Sequence, residues 1–133
     1  SLLCGDADFI DRARRTRKLL GGGMRQAGVL AAAGLVALHE MVDRLADDHR
    51  NARRLAAGLA ALGFAIDPAS VQSNIVALPV DDAAAWRDRL AERGVLASVL
   101  SARLGRLVTH ADVSEPDIDE ALDRIAQAWP VPV

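Results

Sequence analysis

The chain has 133 residues, about half of them hydrophobic (51%) and about a quarter charged (26%), with a formal net charge of −2; this suits one ordinary domain with a packed core. Charge interrupts every apolar run well before the ~18 residues of a membrane helix, no secretory signal opens the chain, and the small net charge gives no general pull toward nucleic acid or membrane. Cys4 is the single cysteine, so no internal disulfide can form, and a reducing, cytoplasmic setting is the expectation.

Ser1-Leu2-Leu3-Cys4-Gly5 is a short apolar run and reads as a strand entered partway. A lone strand needs hydrogen-bonding neighbours, and no hairpin partner is near, so the chain is expected to be a fragment of a longer protein. Asp6 or Asp8 caps a helix running to about Leu20. Its apolar side carries Phe9, Ile10, Ala13 and Leu20. Arg12, Arg14, Arg15, Arg17 and Lys18 form a basic face without interleaved aromatics, which points to a solvated or ion-paired surface rather than nucleic-acid binding. Gly21-Gly22-Gly23 ends the helix.

A second helix is predicted from about Met24 to Val42. It is apolar nearly all round from Ala27 to Leu38, and such a helix seeks cover in a core or between subunits. An amphipathic helix follows over Asp43 to Leu62, with Leu45, Ala52, Leu55, Leu59 and Leu62 on its apolar side and Gly63 as its stop. Ser73 to Val80 reads as a strand, with Pro79 at its end or on an edge. Asp82 caps a helix to about Arg93, with Trp86, Leu90 and Ala91 inward, and Gly94 breaks it. Val95–Leu100 and Arg106–His110 read as short strands separated by a turn near Arg103-Leu104-Gly105. Ser114-Glu115-Pro116-Asp117 starts a final helix carrying Ile118, Ala121, Leu122, Ile125 and Trp129, ended by Pro130.

Several features have the residue types for chemistry. The glycine triplet before Met24-Arg25 exposes backbone N–H groups that suit an anion, and Arg25 adds a fork of donors. The same residues also read as an ordinary helix stop and loop, which glycine after a helix usually is. Alternation along Arg106-Leu107-Val108 sends Arg106 and Val108 to one face of a strand. There an arginine can take a carboxylate by two parallel hydrogen bonds, or simply face solvent. His39, His49 and His110 lack metal-ligand spacing. His110 with Asp112 has the residue types for acid–base work, though a turn histidine with a local hydrogen bond is the expectation. Lys18 is the only lysine.

The stretch Arg17-Lys18-Leu19-Leu20-Gly21-Gly22-Gly23-Met24-Arg25-Gln26-Ala27-Gly28-Val29-Leu30-Ala31-Ala32-Ala33-Gly34, then Gln72-Ser73-Asn74-Ile75-Val76, then Arg106-Leu107-Val108-Thr109-His110-Ala111-Asp112-Val113-Ser114, resembles the low-specificity L-threonine aldolases. These belong to the β-eliminating lyase group of fold-type I pyridoxal-phosphate (PLP) enzymes. The resemblance runs through essentially the whole chain in the right order. It implies an α/β fold: the end of a PLP-binding large domain and a bridging helix over residues 1–43, then a small C-terminal α/β domain over 44–133, with helices packed on a short sheet. It implies cleavage of L-threonine, allo-threonine and related β-hydroxy-α-amino acids to glycine and an aldehyde, with pyridoxal 5'-phosphate as cofactor and a homo-oligomer (dimer or tetramer) with active sites at subunit interfaces.

By the same resemblance, the lysine that holds the cofactor lies in a Ser-Lys-Gly segment before the position matching Ser1. Lys18 instead matches a second lysine near the active site, and Arg25 matches an arginine near the same site. Arg106 matches the arginine that binds the substrate's α-carboxylate. No metal is implied, and the chain alone is expected to be inactive. A different lyase of the same fold, or a non-catalytic dimerisation module built on the 27–38 helix, are the alternatives left open.

Overall fold

The computed structural model describes residues 2–129. Its contacts divide the chain into two compact units, Ser1–His39 and Glu40–Val133.

The first unit holds two helices. α1 (Ala7–Leu19) begins where predicted, with the Asp6 carboxylate accepting the Phe9 N–H at 2.7 Å. It closes in a Schellman motif: Gly22 N–H donates to the Arg17 carbonyl (2.8 Å), and Gly21 N–H to that of Lys18 (3.1 Å). Gly21 stands at φ +79°, a conformation that costs any residue with a Cβ. α2 (Gly28–Glu40) starts four residues later than its hydrophobicity predicts, because Met24, Arg25 and Gln26 are not helical. No residue of α2 is buried, and Val29 is 77% exposed. The cover expected for this apolar helix is therefore not provided within its own unit. The opening strand is also absent over residues 2–5, where Leu2 and Leu3 are exposed and paired with nothing; Ser1 lies outside the described residues.

The second unit contains α3 (Leu45–Ala61), a 3₁₀ turn (Pro68–Ser70), β1 (Ile75–Pro79), α4 (Ala83–Ala91), β2 (Ser98–Ser101), β3 (Leu104–Val108) and α5 (Glu115–Ala128). The three strands form an antiparallel sheet in the order β1-β3-β2. Pro79 both ends β1 and lies on an edge strand, where its missing N–H leaves no central ladder bond unmade. The connection between β2 and β3 is tighter than predicted. Only Ala102 and Arg103 turn, while Leu104 and Gly105 already pair with β1.

The helices lie against one face of this sheet, α3 on β1 and α4 on β2 and β3, with α5 packed on α3 and α4. Val76, Leu78 and Leu107 from the sheet bury against Ala52, Leu55, Ala56 and Leu59 of α3, Trp86 and Leu90 of α4, and Ile118 and Ile125 of α5. Each such large side chain withdrawn from water stabilises the fold by ~1.5–3 kcal/mol. Two expected inward residues are not inward. Leu45 remains 46% exposed at the first turn of α3, and Ala91 is exposed while Ala83 takes its place in the core. α5 starts with the predicted capping box, Ser114 and Asp117 bonding reciprocally. Trp129 is its C-terminal cap residue, and Pro130 lies outside the described residues.

Candidate functional site

The face of the sheet opposite the helices follows from the two-residue period of its strands. Along β1 the exposed residues are Ile75, Ala77 and Pro79; along β3, Leu104 and Arg106 are half-buried and Val108 is exposed. Arg106 is the one charged side chain in that group. It sits in the central strand with Ala77 as its cross-strand neighbour on one side and Ser98 on the other. The small Ala77 leaves room beside it, and Leu104 and Val108 flank it along its own strand. Arg106 and Val108 do share a face, as the alternation predicts.

The guanidinium is oriented by one bond. Arg106 Nε donates to Ser98 Oγ at 2.9 Å, and Ser98 Oγ donates in turn to the Arg106 carbonyl at 3.4 Å. The two Nη atoms have no partner among the described residues. Six of the nine other arginines of this unit are paired: Arg44 with Asp48, Arg50 with Asp47, Arg54 with Asp119 and Glu115, Arg87 with Asp88, Arg103 with Asp81, and Arg124 with Glu120. A half-buried arginine with a free fork in an apolar frame can hold a planar carboxylate by two parallel N–H···O bonds.

The end of β3 next to Arg106 is fastened by buried polar groups. Thr109, 1% exposed, donates from Oγ1 to the Asp48 carbonyl (2.7 Å) and from its N–H to the Asn74 carbonyl (3.0 Å). Asn74 Nδ2 returns a bond to the Thr109 carbonyl at 2.7 Å. Asn51 Nδ2 holds the Val113 carbonyl at 2.9 Å. The buried Asp48 carboxylate takes a two-pronged bond from Arg44 (2.8 and 3.3 Å), and that bond, with the nearby acidic charges, raises the Arg44 pKa above its ordinary value. Two of the sequence stretches quoted above, around Asn74 and around Thr109, therefore meet at the end of β3. His110 makes the local bond expected of a turn histidine, its Nδ1 accepting the Asp112 N–H at 3.3 Å.

Lys18 and Arg25 belong to the other unit and are exposed. Neither has a carboxylate within ion-pair range among the described residues, whereas Arg14 pairs with Asp11 at 3.4 Å. Lys18 runs beside the glycine turn: a Cβ on Gly23 would stand 3.8 Å from its Cγ. The turn itself is not an anion cradle at Gly21 and Gly22, because both N–H groups are used on carbonyls of α1. The helix-stop reading of the triplet is the one realised. What remains to suit a phosphate, such as that of pyridoxal phosphate, is a set of exposed cations without an ion-pair partner among the described residues, Lys18 and Arg25 among them. No group of three or more His, Cys, Asp or Glu suitable for a metal occurs among the described residues, and none of their helices is long and apolar enough to cross a membrane.

Reading the sequence alone missed Ser98, Asn74, Thr109 and the buried Asp48 and Asn51. Asn74 and Thr109 do lie in stretches that carry the family resemblance. Nothing in the pattern singles out Ser98, a serine in a four-residue strand.

Comparison with known proteins agrees with the resemblance. A family profile described as "Beta-eliminating lyase" matches residues 1–83. The chain is 37% identical over 134 residues to "Low-specificity L-threonine aldolase 1" of Arabidopsis thaliana, which covers 96% of this chain. It is 42% identical over 129 residues to "Low specificity L-threonine aldolase" of Escherichia coli (strain K12), covering 97%. It is also 31% identical over 102 residues to "Alanine racemase TOXG" of Cochliobolus carbonum, covering 71%. The chain spans 37% of the length of each of the two aldolases and 26% of the third protein.

Proposed function

The chain belongs to the beta-eliminating lyase family, and from that premise we propose that it forms the C-terminal part of a PLP-dependent aldolase that cleaves L-threonine, allo-threonine and related β-hydroxy-α-amino acids to glycine and an aldehyde. The observation that carries this reading is Arg106: a half-buried arginine without an ion-pair partner among the described residues, flanked by Leu104, Val108 and Ala77 and oriented by Ser98. The names of the aldolases to which nearly the whole chain is similar support the same reaction.

Arg106 binds the α-carboxylate of the amino acid through its Nη fork. Held at one end, the substrate loses freedom to rotate, and the bond to be broken is aligned; such alignment is a large part of positional catalysis. Pyridoxal phosphate, when bound, supplies an electron sink for the pair released as the Cα–Cβ bond breaks. Lys18 and Arg25 hold positive charge toward its phosphate or toward a subunit boundary. The lysine that anchors the cofactor covalently lies outside this chain, so the chain alone is inactive. The protein works as a homo-oligomer, a reading supported by the uncovered apolar surface of α2, and in a reducing, cytoplasmic setting, which suits its single cysteine.

The test is product analysis on the full-length protein. Threonine should yield glycine and acetaldehyde in equal amounts. Release of a keto acid and ammonia instead would assign the protein to a β-eliminating reaction and overturn the aldolase reading.

A further inference from the structure

We propose that Ser98 is a positioning residue for the substrate carboxylate: it turns the Arg106 guanidinium so that its two Nη atoms, and not its Nε edge, face the ligand. A guanidinium can offer a carboxylate either its Nε/Nη side or its Nη/Nη end. Here the Nε hydrogen is already given to Ser98 Oγ at 2.9 Å, while the hydroxyl hydrogen points back toward the Arg106 carbonyl at 3.4 Å. The exchange leaves a lone pair of Ser98 aimed at Nε and fixes the rotation of the arginine about its last bonds. The two residues are cross-strand partners in the register of β2 and β3, so the sheet itself sets their separation. On the other side Ala77 offers no competing polar group. Without the Ser98 oxygen, the long Arg106 side chain would have several orientations of similar energy, and binding would have to select one of them.

The inference rests on reading Arg106 as the carboxylate clamp, and its test keeps the two apart. In the full-length protein, KM and kcat for threonine are measured for Ser98→Ala, Ser98→Thr and Arg106→Ala. Inhibition by the amino alcohol that corresponds to threonine without its carboxylate is measured alongside. Ser98→Ala should raise KM for threonine about 5- to 10-fold, the effect of one hydrogen bond, with a smaller change in kcat and no change in amino-alcohol affinity. Ser98→Thr, which keeps the hydroxyl, should restore the parent KM. If Ser98→Ala does not fold, Ser98→Cys, of similar size and weak as an acceptor, should show the same split. A raised KM for Arg106→Ala with an unchanged KM for Ser98→Ala overturns the positioning role alone. Equal weakening of threonine and amino alcohol in Ser98→Ala also overturns it, since that marks general damage to the site. An unchanged KM for Arg106→Ala removes the clamp itself, and the role of Ser98 with it.

Discussion

The indole of Trp86 occupies the space above Gly105 that any side chain would need: a Cβ built there would stand 2.5 Å from Cζ3 and 2.7 Å from Cε3 of the ring. α4 can approach the central strand this closely because that strand has no side chain at position 105. Arg106 is the next residue, so the contact that seats α4 on the sheet also holds the strand carrying the candidate clamp.

Gly105→Ala should therefore destabilise the protein by ~1–3 kcal/mol, the usual cost of overpacking a well-filled core. Trp86 is 4% exposed, so its fluorescence should shift toward longer wavelength as the ring is displaced. Unchanged emission and an unchanged urea midpoint would show that the contact is dispensable.

Arg106→Ala should raise KM for threonine in the full-length protein by about 10- to 100-fold, the range for hydrogen bonds to a charged group. Arg106→Lys should recover only part of this, because an ammonium is a point charge and cannot reproduce the fork. Steady-state kinetics on the three proteins read the effect directly.

Thr109→Val keeps the shape of a buried residue but removes the hydroxyl that donates to the Asp48 carbonyl. A loss of ~0.5–1.5 kcal/mol in urea unfolding is expected, the net worth of one hydrogen bond, because the Asp48 carbonyl lies within α3 and keeps its helical acceptor role. Thr109→Ser, which can remake the bond, should lose less.

Acid should weaken the second unit through Asp117 and Asp119. The Asp117 carboxyl is held below its usual range by the Ser114 hydroxyl first and the Ser114 N–H second. The Asp119 carboxyl is lowered by its bond with Arg54 and by that residue's charge. Both groups take up protons more readily in the unfolded chain, so their contribution is complete above the unfolded value of ~3.9 and is lost as pH falls through the lower folded values. Stability measured from neutral pH downward should start to fall near that value, and Asp117→Asn should flatten the fall. An equally steep acid limb in Asp117→Asn would remove this residue from the account.

Lys18 should not be the covalent anchor of the cofactor. Borohydride reduction of the cofactor-loaded full-length protein, followed by peptide mass mapping, should place the adduct outside this chain. An adduct at Lys18 would reverse its assignment as an auxiliary cation.

Much of the local structure was legible in the residues because its causes act over a few positions. Asp6, Asp82 and Ser114 each cap the helix that follows, and Gly21, Gly63 and Gly94 turn with positive φ where helices stop. Strand alternation likewise assigns Arg106 and Val108 to a common face. What only the tertiary structure decided are relationships between distant residues. Thr109 reaches Asp48 across 61 positions and Asn51 reaches Val113 across 62. Those bonds give partners to polar groups of Asp48 and Asn51, which lie on the buried, largely apolar side of α3, where hydrophobic periodicity leads one to expect apolar side chains. The pairing of Ser98 with Arg106 depends on strand register, and the spending of the Gly21 and Gly22 N–H groups on α1 depends on how the chain turns back. Composition and spacing carry no record of such geometry, because a hydrogen bond is chosen by which groups come within reach once the backbone has folded.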